Sequence, residues 1–377
     1  MKIKTNYIIK QLVKKKTTRK KKKRNNKKIN NIKKYMIKFT FIIYLFFMFT
    51  YLKKTKLLNG IIINPEIKSI KNTTIKYSKD YPFERYVRKI ITNDKESSSN
   101  YFACFVGIGK SENLYTRELV EYYISIGFDK FYLGDHNSLD DEPLSNVLKD
   151  YIDKGFVDII DLREQIIQIT DYYNYIFNIK KNICKWFSFY DFDEFLVFND
   201  KNMTIKSYLS KEEFNKCDSI LTHWLMFYDN DLVHYDNRPV MERFSKPNYD
   251  TFENNYHKSI VRSKNYSGIL FHNAHQPNIS LVKFCDADGN IENFRDGYLG
   301  SPKFKYCHLN HYSLKTIEEY MRKFKRGNFG VKYNFDYRLK VFFKYDKITN
   351  EKLDIVEKTL NYNCSEFRKY LNSYYPN

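Results

Sequence analysis

Apolar runs and amphipathic stretches alternate through the middle of the chain. Apolar runs predict strands over 101–106, 130–134 and 157–160. Apolar residues at helical spacing predict helices over 116–126, 143–154 and 164–182, the last with its inward face formed by Ile166, Ile169, Tyr173, Ile176 and Phe177. Strands that alternate with helices are typical of an α/β fold with a mainly parallel sheet flanked by helices.

A fourth apolar run, residues 186–190, leads directly into the acidic residues Asp191, Asp193 and Glu194, and a second run follows at 195–198. Because an unpaired buried charge is very costly, we expect a strand that ends at the sheet edge and presents Asp191 and Asp193 to a cleft. Side chains two apart in an extended chain point the same way, so Phe192 is expected to point into the core. Two carboxylates on one face suit Mg²⁺ or Mn²⁺ that also carries phosphate oxygens.

Polar segments follow three of the predicted strands. Residues 107–112, which include Lys110 and Glu112, follow the first strand, and residues 135–138, which begin with Asp135, follow the second. Residues 191–194 follow the fourth. Ligands of open α/β sheets bind at the carboxyl ends of the strands, so these segments predict one cleft. The first lacks the full spacing of a P-loop or a dinucleotide fingerprint. Asp135 could accept hydrogen bonds from a ribose or base, or serve as a cap or turn residue.

The net charge of +21 is concentrated at the N-terminus. Residues 1–38 hold 17 of the 65 Lys and Arg residues and no Asp or Glu, which leaves 48 basic residues against 44 acidic ones. The remainder is therefore near neutral, and we expect no nucleic-acid partner for the folded part. A protein that binds nucleic acid through its basic tail is the alternative. Six widely spaced cysteines form no zinc motif, and their pairing is not readable from the sequence.

Residues 35–52 form an apolar stretch of 18 residues with one charge, Lys38. This length is within the roughly 17–25 residues that cross a bilayer. No small-residue cleavage site follows, so we expect a retained signal anchor, with residues 1–34 as a basic cytosolic tail and 53–100 as a stem. The alternative is a buried helix of a soluble protein. The predicted protein is thus single-pass, type II, in a Golgi- or ER-type lumen or its equivalent. N-glycosylation sequons occur at Asn72, Asn202, Asn265, Asn278 and Asn363.

The order of motifs resembles that of the glycosyltransferase family 2-like and family 92-like enzymes over about residues 101–330. The first half of the series is Lys110-Ser111-Glu112, Arg117-Glu118, Gly127-Phe128-Asp129, Tyr132-x-x-Asp135-x-Asn137-Ser138 and Asp191-Phe192-Asp193-Glu194-Phe195. The second half is His223-Trp224-Leu225-Met226-Phe227-Tyr228, Glu242-Arg243-Phe244, Lys258-Ser259-Ile260-Val261, His272-x-x-His275 and Asn310-His311-Tyr312. The chain departs from the family pattern at Ser111, where Asn is usual, at His136 and at Tyr228.

The resemblance implies a GT-A fold, a nucleotide-sugar donor and Mn²⁺ or Mg²⁺ as cofactor. It implies UDP-galactose as the default donor, a glycan or glycoconjugate acceptor, and transfer with inversion. Asp191 and Asp193 would bind the metal and the ribose-diphosphate, and Asp135 the nucleoside. His311 would make a third metal or diphosphate contact. The first loop, with Lys110 and Glu112, would bind the donor.

Further side chains of suitable chemistry complete the predicted site. Lys323 and Arg326 lie one helical turn apart and could add positive charge at the diphosphate, or form a solvated basic face. An inverting transfer needs a carboxylate as general base. Asp229, after the apolar strand 224–228, is the favoured base, and Glu242 is the competitor, although the adjacent Arg243 favours a structural ion pair.

Three other functions fit parts of this pattern. A catalytically inactive relative would bind a sugar nucleotide or a glycan without turnover. A metal-dependent nucleotidyltransferase would release pyrophosphate. A basic-tail protein would bind RNA in a salt-dependent way. Residues 331–377, with a helix predicted at 350–361, form a C-terminal extension without an assigned role.

Overall fold

The computed structural model describes residues 82–93, 100–266, 269–278, 280–292, 301–327 and 335–374. The predicted tail at 1–34, the predicted anchor at 35–52 and most of the predicted stem lie outside these ranges. Within them, no helix is both long enough and apolar enough to cross a membrane.

Twelve strands of the described ranges form one mixed sheet. They are β1 (Lys89–Ile91), β2 (Tyr101–Gly109), β3 (Lys130–Asp135), β4 (Val157–Asp161), β5 (Cys184–Phe189), β6 (Glu194–Phe198), β7 (Ser219–Phe227), β8 (Pro247–Asn248), β9 (His257–Arg262), β10 (Phe284–Asp286), β11 (Ile291–Glu292) and β12 (Cys307–His311). The four predicted strands are confirmed as β2, β3, β4 and β5.

Helices flank this sheet and follow it in the C-terminal part. They are α1 (Asn113–Ser125), α2 (Leu144–Val147), α3 (Lys149–Asp153), α4 (Ile169–Lys180), α5 (Ile205–Leu209), α6 (Val240–Arg243), α7 (Ile317–Lys325), α8 (Phe335–Tyr345), α9 (Asn350–Leu360) and α10 (Ser365–Tyr374). Short 3₁₀ helices cover Pro82–Tyr86, Glu212–Phe214 and Phe252–Asn255. The predicted helix at 143–154 is divided into α2 and α3.

The sheet is mixed, whereas the sequence predicted a mainly parallel one. Strands β4, β3, β2 and β5 are parallel neighbours. Beyond β5, the neighbours β9 and β7 are antiparallel, while β10 and β12 run parallel to β7. The prediction was wrong here because crossover helices connect only β2, β3, β4 and β5. The strands β7 and β9 pair across long intervening segments, and such long-range pairing has no local pattern in the sequence.

The helices α1 and α4 cover opposite faces of the parallel part. Leu119, Val120 and Tyr123 of α1 share one core cluster with Phe105, whereas α4 belongs to the cluster that contains Val106. Adjacent residues of a strand point to opposite faces, so the sheet is covered on both sides.

The predicted helix at 164–182 begins later than expected. The structure starts α4 at Ile169, and Ile166, predicted to point inward, is 83% exposed. Ile166 lies before the first helical turn, so the helical spacing that the prediction extended to it does not apply.

The first strand is longer than predicted because Phe192 packs directly on its end. A Cβ atom on Gly109 would lie 2.5 Å from the Phe192 ring, and one on Gly107 would lie 3.0 Å from it. Only glycine leaves room for this ring, so Gly107 and Gly109 extend the strand to the point where it supports residues 191–194. Phe192 is buried, as predicted.

Disulfides and C-terminal helices complete the domain. Cys104 pairs with Cys184 between β2 and β5, and Cys217 pairs with Cys285. The helix predicted at 350–361 is confirmed as α9. Buried side chains of α8 and α9 belong to the same core cluster as β2 and β7, namely Leu339, Phe342, Leu353 and Val356. Residues 335–374 are therefore an integral part of the fold.

Candidate active site

The acidic residues lie in a turn between two strands. Strand β5 ends at Phe189 and β6 begins at Glu194, so Asp191 and Asp193 are not part of an extended strand as predicted. The bend arises because β6 leaves the main row of strands and pairs with β12. The side chain of Asp191 remains 37% exposed, whereas Asp193 is buried.

Glu194 holds this turn in place through two hydrogen bonds. One carboxylate oxygen accepts the backbone N–H of Asp191 at 2.8 Å, and the other accepts the indole N–H of Trp224 at 2.9 Å. Burial, with Asp191 and Asp193 nearby, raises the pKa of Glu194 well above its usual range. Glu194 therefore positions the turn.

A buried lysine holds Asp191. Lys258 of β9 places its ammonium 2.8 Å from Asp191 Oδ2. Burial opposes ionisation of both groups, but the opposite charges prevail, so the pKa of Asp191 is lowered and that of Lys258 is raised. Lys258 had no role assigned from the sequence, although a lysine in a buried strand has to be paired with an anion.

His311 and Lys323 converge on Asp193. The pairing of β12 with β6 sets His311 opposite Glu194, and His311 Nε2 lies 3.6 Å from Asp193 Oδ1. The Lys323 ammonium of α7 lies 2.8 Å from Asp193 Oδ2. Burial raises the pKa of Asp193, but Lys323 and His311 outweigh it and hold that pKa well below its usual range. Burial also lowers the pKa of His311. The structure thus brings these three predicted residues together.

A small groove with several cationic groups adjoins this cluster. Its lining includes Ser111, Glu112, Lys315, Lys323 and Arg326. Arg326 donates to Glu112 Oε1 at 2.6 Å, so the predicted donor residues Glu112 and Arg326 form an ion pair.

Lys315 and Arg322 are cations of this groove that were given no role from the sequence, and of the two Lys315 is buried. It is 4% exposed, has a left-handed backbone with φ of 56°, and stands 4.4 Å from the centre of the Tyr115 ring. Among the described residues it forms no ion pair, and burial lowers its pKa. A buried ammonium that is not in a direct ion pair and lies next to a groove is a suitable partner for an anionic ligand.

The other predicted donor residues lie at the same end of the sheet. Asp135 ends β3 and is buried, and its oxygens accept the backbone N–H groups of Asn137 and Leu144 at 3.0 and 2.8 Å. Burial raises the pKa of Asp135. Lys110 follows β2 and, second to burial, lowers the pKa of His136. The bonds of Asp135 are those of a turn and cap residue, one of the two roles considered from the sequence.

A larger cavity of about 230 Å³ opens on the other side of Lys323. It is lined by Trp224, Met226, Tyr228, Glu253, His311, Ser313, Leu314, Tyr320, Lys323, Phe324, Arg338 and Val341. Lys323 also lines the small groove, so the two spaces share a wall at the Asp193 cluster. Glu253 is the carboxylate of this lining, and no sequence motif pointed to it.

Residues 99–295 match the sequence model of Glycosyltransferase family 92. The chain belongs to glycosyltransferase family 92. The family resemblance stated from the motifs is confirmed, and the chain is a glycosyltransferase. A search of curated proteins found no match.

Solved structures similar to this family 92 chain include those of TarS from S. aureus. The crystal structures of TarS 1–349, alone and in complex with UDP, are 13% identical to it, each with a TM-score of 0.32 over 73% of this chain and 75% of that one. A further TarS structure is 12% identical, with a TM-score of 0.30 over 73% and 46%.

The side chains of this family 92 site supply some of the ligands that a nucleotide-bound divalent cation needs. Within the described ranges, no group of three or more His, Cys, Asp or Glu side chains is arranged to hold a metal. Asp193 and His311 nevertheless offer a carboxylate and an imidazole 3.6 Å apart. Mg²⁺ at phosphate sites is bound by one or two carboxylates plus the substrate phosphates, so a two-residue set is compatible with such an ion.

The two predicted bases of the family 92 enzyme lie away from both cavities. Asp229 is buried in an ion pair with Lys352 of α9, and its N–H donates to Asp346 at 3.2 Å. Burial and the nearby Asp229 raise the pKa of Asp346 to about 9. Glu242 is exposed on the short helix α6. The C-terminal helices, which the sequence left unassigned, cover Asp229, and its predicted role as base stays a prediction.

Proposed function

We propose that this glycosyltransferase moves a hexose, by default galactose, from a UDP-sugar to a hydroxyl of a glycan or glycoconjugate with inversion, using Mn²⁺ or Mg²⁺. The observation that supports this most is the convergence of His311 and Lys323 on Asp193, because both also line the larger cavity. A diphosphate on one side of that wall and an acceptor on the other would meet at the cluster.

The cationic side chains bind the diphosphate. Lys315 lacks an ion-pair partner among the described residues, and Lys323 and Arg326 can exchange their carboxylates for phosphate oxygens. Phosphate next to Lys315 offsets the desolvation that lowers its pKa. Asp193 and His311 hold the divalent cation. That cation, when bound, neutralises the charge that develops on the departing diphosphate.

The nucleoside and ribose are assigned to the strand ends that carry Lys110, Glu112, Asp135 and Asp191. This assignment is supported by the general position of ligands in α/β sheets, at the carboxyl ends of the strands. Asp191 is the most exposed of the acidic cluster, so its carboxylate can accept a ribose hydroxyl. Asp135 keeps the loop that begins at residue 136 in place through its two backbone bonds.

We also propose a single-pass type II membrane protein with a cytosolic tail at 1–34, an anchor at 35–52 and the enzyme in a Golgi- or ER-type lumen. Two disulfides support this location, since disulfides persist in oxidising compartments. Three of the sequon asparagines are exposed, as glycosylation requires: Asn202, Asn265 and Asn363.

Nucleotide release from the full chain, purified in detergent, tests this function. UDP-sugars are supplied with a panel of free saccharide acceptors, with Mn²⁺, with Mg²⁺ or with EDTA. We expect UDP release that depends on the acceptor, stops with EDTA and is lost in Asp193→Ala, while the exposed Asp250→Asn serves as control.

The alternative functions give different products in the same assay. Release of pyrophosphate would indicate a nucleotidyltransferase. Binding of UDP-sugars without release by any donor and acceptor pair would indicate a catalytically inactive relative. Full activity of Asp193→Ala would remove the site assignment.

A further inference from the structure

The larger cavity has the composition of a carbohydrate site. The rings of Trp224, Tyr228, Tyr320 and Phe324 form part of its wall, together with the charged side chains of Glu253, Lys323 and Arg338. Specific small-molecule sites combine such apolar walls with a few placed polar groups. The electron-rich faces of aromatic rings attract the C–H bonds of a pyranose, and the polar groups orient its hydroxyls.

Glu253 stands on a rigid support at this wall. It lies in the 3₁₀ helix Phe252–Asn255, which is fixed to β7 on both sides. Asn254 accepts the N–H of Met226 at 2.9 Å, and the N–H of Trp224 donates to the carbonyl of Tyr256 at 2.9 Å. The Trp224 ring is in turn 4.1 Å from the His311 ring, centre to centre. Glu253, Trp224 and His311 therefore line the same cavity from connected parts of the structure.

Glu253 has polar partners and remains accessible at the cavity. The Thr251 hydroxyl donates to Oε2, and the Lys344 ammonium is 3.7 Å from Oε1. The side chain is 26% exposed, so it is open to a ligand. Asp229, by contrast, is buried and lines neither of the two cavities.

We propose that Glu253 is the general base of the transfer, and that the cavity binds a saccharide acceptor. This inference rests on the proposed function. Glu253 accepts the proton of the acceptor hydroxyl while that oxygen forms a bond to the anomeric carbon of the donor. The bond between the anomeric carbon and the diphosphate oxygen breaks, and its electron pair leaves with UDP. The carboxylic acid then returns the proton to water.

Two substitutions of Glu253 test this role in the full chain. With lactose and N-acetyllactosamine in the acceptor panel, we expect Glu253→Gln to lower kcat by about 10²- to 10⁴-fold, the range for loss of a general base. The affinity for UDP-galactose and the melting temperature should stay as in the wild type. Formate should restore part of the rate of Glu253→Ala, because a small carboxylate can enter the vacated space. Asp250→Asn, an exposed carboxylate of the same loop, should retain wild-type activity.

Several results would overturn the proposal. A wild-type kcat in Glu253→Gln would exclude the proposal. A lower kcat together with a clearly lower melting temperature, and no rescue of Glu253→Ala by formate, would also exclude it, because the substitution would then act through the fold. If Glu242→Gln loses activity while Glu253→Gln keeps it, the base is Glu242. If the wild type releases no UDP from any donor, the proposed function itself fails, which is distinguishable from the failure of Glu253 alone.

Discussion

The buried ion pair of Asp229 and Lys352 gives the most quantitative prediction. We consider Lys352→Met, which keeps the length of the side chain and removes its charge. Both partners are 1% exposed, so the substitution leaves a carboxylate in the core without its cation. Breaking a buried pair in this way typically costs about 3–5 kcal/mol. At roughly 2–4 °C per kcal/mol for a large domain, the melting temperature should fall by about 6–20 °C.

The double variant separates charge from packing. In Asp229→Asn with Lys352→Met no buried charge is left by the pair, and replacement of a buried pair by neutral groups is often close to neutral in stability. We therefore expect thermal unfolding, followed by circular dichroism, to show recovery of most of the lost melting temperature. An unchanged melting temperature in Lys352→Met would refute the structural role of the pair. A wild-type melting temperature with lost kcat in Asp229→Asn would instead make Asp229 the base.

Three further predictions concern other parts of the molecule. Lys315→Met should raise the Kd for UDP, measured by calorimetry, at least tenfold, and an unchanged Kd would remove Lys315 from the donor site. Gly109→Ala should lower both melting temperature and kcat, because the added methyl group lies 2.5 Å from the Phe192 ring. The raised pKa of Asp346, about 9, means that the folded state binds its proton more tightly than the unfolded state. The stabilisation that this proton gives is complete below the pKa of an ordinary aspartate and is lost as the pH rises towards 9. Stability of the wild type should therefore decline between about pH 4 and 9, and Asp346→Asn should make that decline smaller.

The sequence predicted those parts of the fold that depend on local patterns. Apolar runs followed by helical spacing identified β2, β3 and β4 correctly, because a strand buried on both faces has to be almost wholly apolar. The acidic turn was recognisable for a related reason, since charges between two apolar runs require an edge. The antiparallel half of the sheet had no such signal, because β7 and β9 pair with strands that are distant in the sequence and not with their neighbours along the chain.

Long-range pairing accounts for the residues that the sequence analysis misplaced. Asp229 follows an apolar strand in the sequence, but its partner Lys352 is 123 residues away on a helix without an assigned role. Glu253 carries no motif, and it reaches the cavity only because Asn254 attaches its 3₁₀ helix to β7. Lys258 and Lys315 did carry a signal, as lysines beside or within apolar segments have to be paired or to face a ligand.

The charges around the acidic turn are arranged mainly in pairs, and this arrangement bears on how a donor can enter. Lys258 neutralises Asp191, Lys323 neutralises Asp193 and Arg326 neutralises Glu112. A ligand that carried only negative charge could take a lysine from one of these pairs only by leaving a carboxylate buried without a cation, which is costly. A diphosphate that enters with a divalent cation would bring both negative and positive charge. Asp193 could then exchange Lys323 for the cation, and Lys323 could exchange Asp193 for a phosphate oxygen. Lys315 forms no ion pair within the part of the chain that the structure describes, so a phosphate could approach it without displacing a carboxylate from a direct pair.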